Sequence, residues 1–516
     1  MLDLQPHQIK DLVSRIGSLD HRKRSQLFDK LASAGVSILR LPIVRAESRG
    51  AVPASYAQQR QWVLWQLAPE SAAYHISTTL RLQGTLDNRA LRQSFALVVA
   101  RHEVLRTHFT EQEGELCQVI AEELALPLVE ETLVLQAGES EEAALHRCLR
   151  THEQTPFDLT TGPLLRLTLI QLEQEDHVLS LVQHHIISDE WSMQLLVEEV
   201  VSAYQAFSQG LVPALAPLSI QYADYALWQR QILNAAEGSR QLAYWREQLG
   251  DEQPVLELPT DHPRPPQPSY HGASVVRALP AELRKQVAST AARLGLTPFM
   301  LLLASFQLLL HRYSRQSDIR VGVPIANRNR LETERLIGFF VNTQVLRAQV
   351  TPQLTVVELL KQVKRSALDA QAHQDLPFER LVDALQPERS LSTTPLFQVM
   401  FNYQRAQRGN ETFLAGLQQQ GLRVSGVVGE QASAQFDLVL NLSEGEGEGE
   451  DGLNASFNYA TDLFERETIE RMAAHWQRLL KGMLDNPEQR IDELPLLDEV
   501  ERSQLLSGWN NTAAVQ

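Results

Sequence analysis

Cysteine is nearly missing from this sequence: Cys117 and Cys148 are the two thiols among 516 residues. Two thiols cannot staple so long a chain into a disulfide framework, and a reducing, cytoplasmic setting is expected. Neither is read as having a second Cys or a His at metal-ligand spacing, so no metal site is expected. Positive charge is also short. The 47 Lys and Arg stand against 63 Asp and Glu, for a formal charge of -16. A broad phosphate-binding surface needs the opposite excess, which argues against a nucleic-acid partner. No apolar run reaches the ~20 residues that a membrane-spanning helix needs. The longest, Phe299 to Leu310, is interrupted by Ser305 and Gln307. The opening Met1-Leu2-Asp3-Leu4-Gln5-Pro6 lacks a basic stretch followed by an apolar core, so no secretory signal is read there.

What is present is the composition of a globular chain, with 43% hydrophobic and 21% charged residues. The length allows two to four domains. Residues 1–48 show helical spacing at Ile9, Leu12 and Ile16, then Leu27 and Leu31, and read as a leader that docks on a larger body. Beyond them strands and helices alternate. Asp87 is placed to cap a helix whose apolar stripe is Leu91, Phe95, Val98 and Val99. Leu165, Leu167 and Leu169 suggest a strand with one buried face. Val178 to Val182 predicts a second strand, running into His184-His185, and Ser192 is read as a cap for the helix that follows. Five prolines between Pro259 and Pro268 exclude a helix or central strand and mark an inter-lobe linker over 259–270. The lobes are then 49–258 and 271–498. In the second, Thr297-Pro298 opens a helix to about Tyr313, and a strand follows around Ile319, Val321 and Val323. Ser443 to Gly452, acidic and Gly-rich, reads as a solvated loop between strands at Leu438 and Ala455.

Among 15 histidines, the pair His184-His185 differs in context. It ends an apolar strand and precedes Ser188-Asp189-Glu190, which opens a helix. Adjacent strand residues face opposite ways, so one imidazole can enter a cavity while the other packs inward. Histidine suits proton transfer near neutral pH. On residue types alone, a strand-end His before an Asp turn is more often structural. Two His and an Asp also make conceivable metal ligands, although adjacent histidines diverge and no third ligand is evident.

The segment His184-His185-Ile186-Ile187-Ser188-Asp189-Glu190-Trp191-Ser192 resembles the HHxxxDGWS signature of nonribosomal peptide synthetase condensation domains. Six further segments resemble that family's motifs in the family's order. They are Ser55 to Trp62 (SxAQxRLW), Arg101 to Phe109 (RHExLRTxF), Tyr222 to Trp228 (YxDYAxW), Ile337 to Thr343 (IGxFVNT), His373 to Glu379 (HQDxPFE) and Arg389 to Phe401 (RxxSxxPLFQVMF). The resemblance spans roughly residues 50–500. Residues 1–48 are similar to a linker from an upstream carrier domain, and 499–516 to the start of a linker to an adenylation domain.

The resemblance implies an α/β fold of two chloramphenicol acetyltransferase-like lobes, forming a V-shaped pseudo-dimer with a central tunnel. It implies peptide-bond formation between substrates held as thioesters on the phosphopantetheine arms of an upstream and a downstream carrier protein, with no cofactor bound by the domain itself. His185 is the implied catalytic residue, by positioning the amine or as general base. His184 is expected to be structural, Asp189 to form a buried ion pair with Arg106, and Arg101 to be structural. Asn342 is a candidate for lining the tunnel. Trp62, Trp191 and Trp228 are expected to pack. Glu190 departs from the family pattern, which has Gly; it adds bulk and negative charge beside His185. The competing readings are an epimerization domain of the same fold and a catalytically silent docking platform for carrier proteins.

Overall fold

The computed structural model describes residues 51–124, 126–233, 236–386, 392–404, 421–427, 433–444 and 452–504, with Ser390 and parts of 16–46. Ile9, Leu12, Arg389, the acidic run 445–451 and the segment 505–516 lie outside the described residues.

The first lobe begins with β1 (Val52–Pro53), α1 (Tyr56–Leu67), β2 (His75–Gln83) and α2 (Asn88–Arg101). Asp87 caps α2, accepting from Ala90 N, and the predicted stripe of Leu91, Phe95, Val98 and Val99 is buried. Next come β3 (Thr107–Gln112), β4 (Glu115–Ile120), β5 (Leu128–Thr132), α3 (Glu141–Gln154), β6 (Leu165–Glu173) and β7 (Asp176–His184). A 3-10 turn at His185–Ile187 joins β7 to α4 (Glu190–Ser208), which is followed by α5 (Tyr222–Leu233) and α6 (Ala236–Leu249). In β6 Thr168 and Ile170 are buried along with the leucines, so both faces of this strand are covered rather than one.

The second lobe follows the irregular proline segment, which is pinned where Asp261 and His262 donate backbone N–H bonds to the Leu463 carbonyl. It contains β8 (Gly272–Leu279), α7 (Ala281–Arg293), α8 (Pro298–Ser314), β9 (Asp318–Ile325), α9 (Leu331–Glu334) and β10 (Asn342–Gln349). Then come α10 (Val356–Ala372), α11 (Phe378–Leu385), β11 (Val399–Gln404), β12 (Arg423–Gly426), β13 (Leu438–Glu444), β14 (Leu453–Ala460) and α12 (Arg466–Asp485). Thr297 caps α8 with Pro298 in the first turn. Every residue of α8 from Met300 to His311 is buried, as expected of a helix that is apolar nearly all round. Among the described residues no single helix is long and apolar enough to cross a membrane.

One mixed six-stranded sheet, ordered β10-β9-β11-β13-β14-β8, backs the second lobe. The first lobe has a five-stranded sheet ordered β12-β2-β7-β6-β5. Its edge strand β12 comes from the chain beyond the proline segment and pairs antiparallel with β2, Val424 opposite Leu82. A boundary drawn at residue 259 therefore does not partition the sheets. Gly84 stands where the two segments meet: a Cβ there would lie 2.1 Å from the Gly421 carbonyl oxygen, and its φ is +122°. Only glycine meets both demands. In the leader, Ile16 and Leu41 are buried against Ile232 of α5, with Leu27 and Leu31 packed beside them.

Candidate active site at the lobe junction

The site is built where β7 ends. His184, the last residue of β7, is buried, and its Nδ1 accepts from Ile186 N at 3.1 Å. That bond puts the proton of neutral His184 on Nε2. Its ring stands edge-on to His75 and Phe157. Burial, with His75 and His185 nearby, holds this imidazole well below its ordinary range, so it is neutral near pH 7.

His185 begins the 3-10 turn and is half-buried. Its Nδ1 lies 2.7 Å from the Ser188 carbonyl, and a carbonyl can only accept, so Nδ1 carries the proton. In the neutral ring Nε2 is then a lone-pair acceptor. Burial lowers this pKa below 6.5, opposed by the Ser188 carbonyl and the Asp189 charge and assisted by Arg60. The ring packs on Phe339, centroids 4.7 Å apart, and its backbone N–H donates to Tyr74 O. The neutral tautomer with an open Nε2 is the form that can take a proton from an amine.

Asp189 caps α4, accepting from Ser192 N at 2.8 Å. Its other contacts reach across to the second lobe, to Phe340 N at 2.9 Å and Arg328 Nη2 at 3.1 Å. Side chains of both Asp189 and Arg328 are essentially inaccessible, at 0% and 1%. Arg328 also donates to Ser192 Oγ at 2.6 Å and to the carbonyls of Thr333 and Leu336. Ser192 Oγ accepts from Gly338 N and donates to Gly338 O. Tyr222 OH donates to Phe339 O at 2.6 Å, leaving it to accept from Ser55. Residues 338–340 are thereby held against His185 by Ser192, Tyr222 and Asp189.

A family model described as "Condensation domain" matches residues 48–506. The chain belongs to the condensation-domain family. Its members in nonribosomal peptide synthetases are amide-forming acyltransferases. The chain is 46% identical over 476 residues to one of the linear gramicidin synthase subunits of Brevibacillus parabrevis, covering 92% of this chain and 6% of that one. It is 39% identical over 496 residues to the phosphinothricin tripeptide synthetase PhsC of Streptomyces viridochromogenes, covering 95% and 45%. The chain thus spans a tenth or less of the length of the three linear gramicidin synthase subunits it matches. Among solved structures, the X-domain from teicoplanin biosynthesis in complex with OxyB aligns with TM-score 0.78 at 29% identity, over 88% of this chain and 98% of that one. The four-domain nonribosomal peptide synthetase AB3403 aligns with TM-score 0.79 at 24% identity, over 89% and 35%; this likeness concerns the fold.

Several expected roles change in this condensation domain. The partner of Asp189 is Arg328, not Arg106. Arg106 instead donates to the Ala121 carbonyl and lies 3.9 Å from Glu103, because a 3-10 turn at Glu103–Arg106 directs it to the β4 end of the lobe. Arg328 follows strand β9 in a polar turn, and no periodicity or motif marked it. Ser192 is not the helix cap: Asp189 is, and the serine hydroxyl ties α4 to Gly338. Asn342, the tunnel candidate, begins β10. Its side chain is buried, donating to Gln374 O and Leu376 O and accepting from Phe378 N at 3.0 Å, which fixes the loop before α11. Arg101 pairs with buried Glu199 at 3.1 Å, where Glu199 also meets His102 Nε2 at 2.8 Å.

Trp62 is buried and donates to Glu111 at 2.9 Å. Trp228 is half-buried under the Arg330 guanidinium. Trp191 departs from simple packing: it is 40% exposed and donates to Glu334 O. Glu190 is exposed, and both its carboxylate oxygens accept from Gln404 Nε2 of β11, at 2.7 and 2.6 Å. The carboxylate in place of glycine is thus turned to the opposite lobe and bridges the two. One expectation about the cysteines is overturned as well. His152 stands four residues after Cys148 on α3, with Sγ and Nε2 3.9 Å apart; that is one helical turn, which is a metal-ligand spacing.

Proposed function

We propose that this domain joins two carrier-bound substrates: the amine of a downstream aminoacyl thioester attacks the carbonyl of an upstream aminoacyl or peptidyl thioester. The N–C bond forms, the C–S bond breaks, and the upstream sulfur leaves as a thiol carrying the proton that the amine gives up. His185 is the catalytic residue, its Nε2 accepting the amine's hydrogen. The observation that carries this reading is the Nδ1 bond to Ser188 O, which fixes the tautomer and leaves Nε2 available in a half-buried position. Holding two tethered reactants in line supplies much of the acceleration, so the histidine has one proton to manage. His184, Asp189, Arg101 and Arg106 are scaffold. The upstream and downstream carriers and an adjacent adenylation domain are the partners this reading calls for.

A second reading is a silent docking platform. It is favoured by the Glu190 to Gln404 bridge beside the histidine turn, and by the likeness to an X-domain solved with OxyB. The two separate when donor- and acceptor-loaded carrier proteins are mixed with the domain and the downstream carrier is read by mass spectrometry. Condensation predicts a dipeptide, reduced at least 100-fold in His185→Ala. No dipeptide from the unaltered domain would favour the platform. Change in α-carbon configuration without a new amide would indicate epimerization.

A further inference from the structure

Outside the lobe junction, one cluster assembles three metal-binding side chains of different chemistry. Cys148 and His152 lie one turn apart on the same face of α3. Glu131 reaches them from β5, the edge of the five-stranded sheet. Among the described residues, no other His, Cys, Asp and Glu side chains bring three ligand atoms within 4.8 Å of one another. His152 Nε2 is 3.2 Å from Glu131 Oε2, and Cys148 Sγ is 3.8 Å from Glu131 Oε2 and 3.9 Å from His152 Nε2. Tetrahedral zinc, with ligand bonds of about 2.0–2.3 Å, sets nitrogen and oxygen about 3.3 Å apart and sulfur about 3.6 Å from either. The three atoms need move only a few tenths of an ångström to match.

The backbone around them is set by independent elements. β5 is paired in parallel with β6, Glu131 opposite Ile170. The α3 face is anchored by Leu145 and Leu149 in a satellite core with Ile170 and Val178, and Cys148 packs at its rim. Ligands mounted on a helix and a strand are held more firmly than ligands on a loop. Arg147, the neighbouring cation, is taken up by Glu139 at 2.9 Å. The other thiol, Cys117, donates to the Glu115 carbonyl.

We infer that Glu131, Cys148 and His152 bind one zinc ion, with the fourth position open to solvent, and so clamp the edge strand β5 to α3. A thiolate, an imidazole and a carboxylate select zinc over magnesium or calcium, which prefer all-oxygen sets. The bound ion displaces the thiol proton outright.

The test uses the full chain, freed of metal by chelation and carrying no histidine tag. Cobalt(II) is titrated in while near-ultraviolet absorption reports thiolate-to-cobalt charge transfer, and zinc is then added in competition. The expected result is one equivalent of cobalt with a charge-transfer band that zinc removes. Cys148→Ser abolishes the band, His152→Ala and Glu131→Gln each weaken zinc binding by about tenfold or more, and Cys117→Ser leaves it unchanged. All variants are checked for the unaltered far-ultraviolet circular dichroism; should Cys148→Ser fail that check, the decision passes to His152→Ala and Glu131→Gln. No charge-transfer band, a band that survives Cys148→Ser, or zinc affinity unmoved in the other two variants overturns the proposal.

Discussion

The pairing of Asp189 with Arg328 makes a quantitative prediction. Both side chains are inaccessible, so removing the carboxylate leaves a guanidinium in the interior, a change that costs about 3–5 kcal/mol. Arg328 would keep three neutral acceptors, Ser192 Oγ and the carbonyls of Thr333 and Leu336, which sets the cost toward the lower figure. Asn is a good helix cap, so Asp189→Asn keeps α4 capped through one oxygen, but its Nδ2 then faces the Phe340 N–H; the lost charge costs about 3 kcal/mol and the unpaired N–H about 1–3 kcal/mol more. Asp189→Ala leaves Phe340 N unpaired in the same way and also loses the cap, adding about 1 kcal/mol. In urea unfolding, Asp189→Ala should therefore be the less stable variant. A double-mutant cycle of Asp189→Asn with Arg328→Met should show a coupling above about 1 kcal/mol, whereas the cycle with Arg106→Met should be additive within about 0.5 kcal/mol. Strong coupling to Arg106 with none to Arg328 would refute this account of the junction.

The rate of dipeptide formation should lose activity on acidification, with its acid limb below 6.5, the ordinary imidazole value from which burial lowers His185. A limb above 6.5 would count against neutral His185 as the acceptor. Stability should fall over the same direction. His75, His102 and His184 are all lowered by burial, so below about 6.5 the unfolded chain binds protons that the native chain does not; the stabilisation is complete above 6.5 and is lost progressively as pH falls toward the depressed native values. A urea midpoint that rose between pH 7 and 5.5 would contradict this. Gly338→Ala places a Cβ 2.0 Å from the Tyr222 ring, an overpacking worth about 1–3 kcal/mol. Because Gly338 is bonded to Ser192 and adjoins Phe339, its dipeptide yield should also drop, read with the same carrier assay; an unchanged yield and midpoint would show that this approach yields freely.

Local signals made much of the fold legible. Asp87 and Thr297 cap the helices that their side chains announced, because capping depends on the next three residues alone. The β7 strand and the histidine turn followed from an apolar run ending in a polar turn. Contacts between distant segments were not legible. Asp189 is separated from Arg328 by 139 residues, and a charged pair carries no spacing rule over that distance, so the nearer motif arginine looked equally suitable. Asn342 was marked by its motif alone; its bonds to Gln374, Leu376 and Phe378 depend on where residues 374–378 pass. Cys148 and His152 are an i, i+4 pair that the reading of cysteine spacing missed, and Glu131 joins them only through the packing of α3 on the sheet. The short β12 has no pattern strong enough to reveal that it leaves its own lobe.

That last strand has a consequence for how the protein is made. The first lobe's sheet is finished by residues 423–426, which leave the ribosome only after residues 259–422 have been added, roughly 10–30 s later. Until then β2 exposes a row of unpaired backbone groups and lacks the cover of Leu422 and Val424, both buried in the finished core. Such an edge is a template for strange strands. The nascent N-terminal half therefore waits in an adhesive state for its own C-terminal half, and a gene cut at the proline segment would turn that interval into a permanent condition.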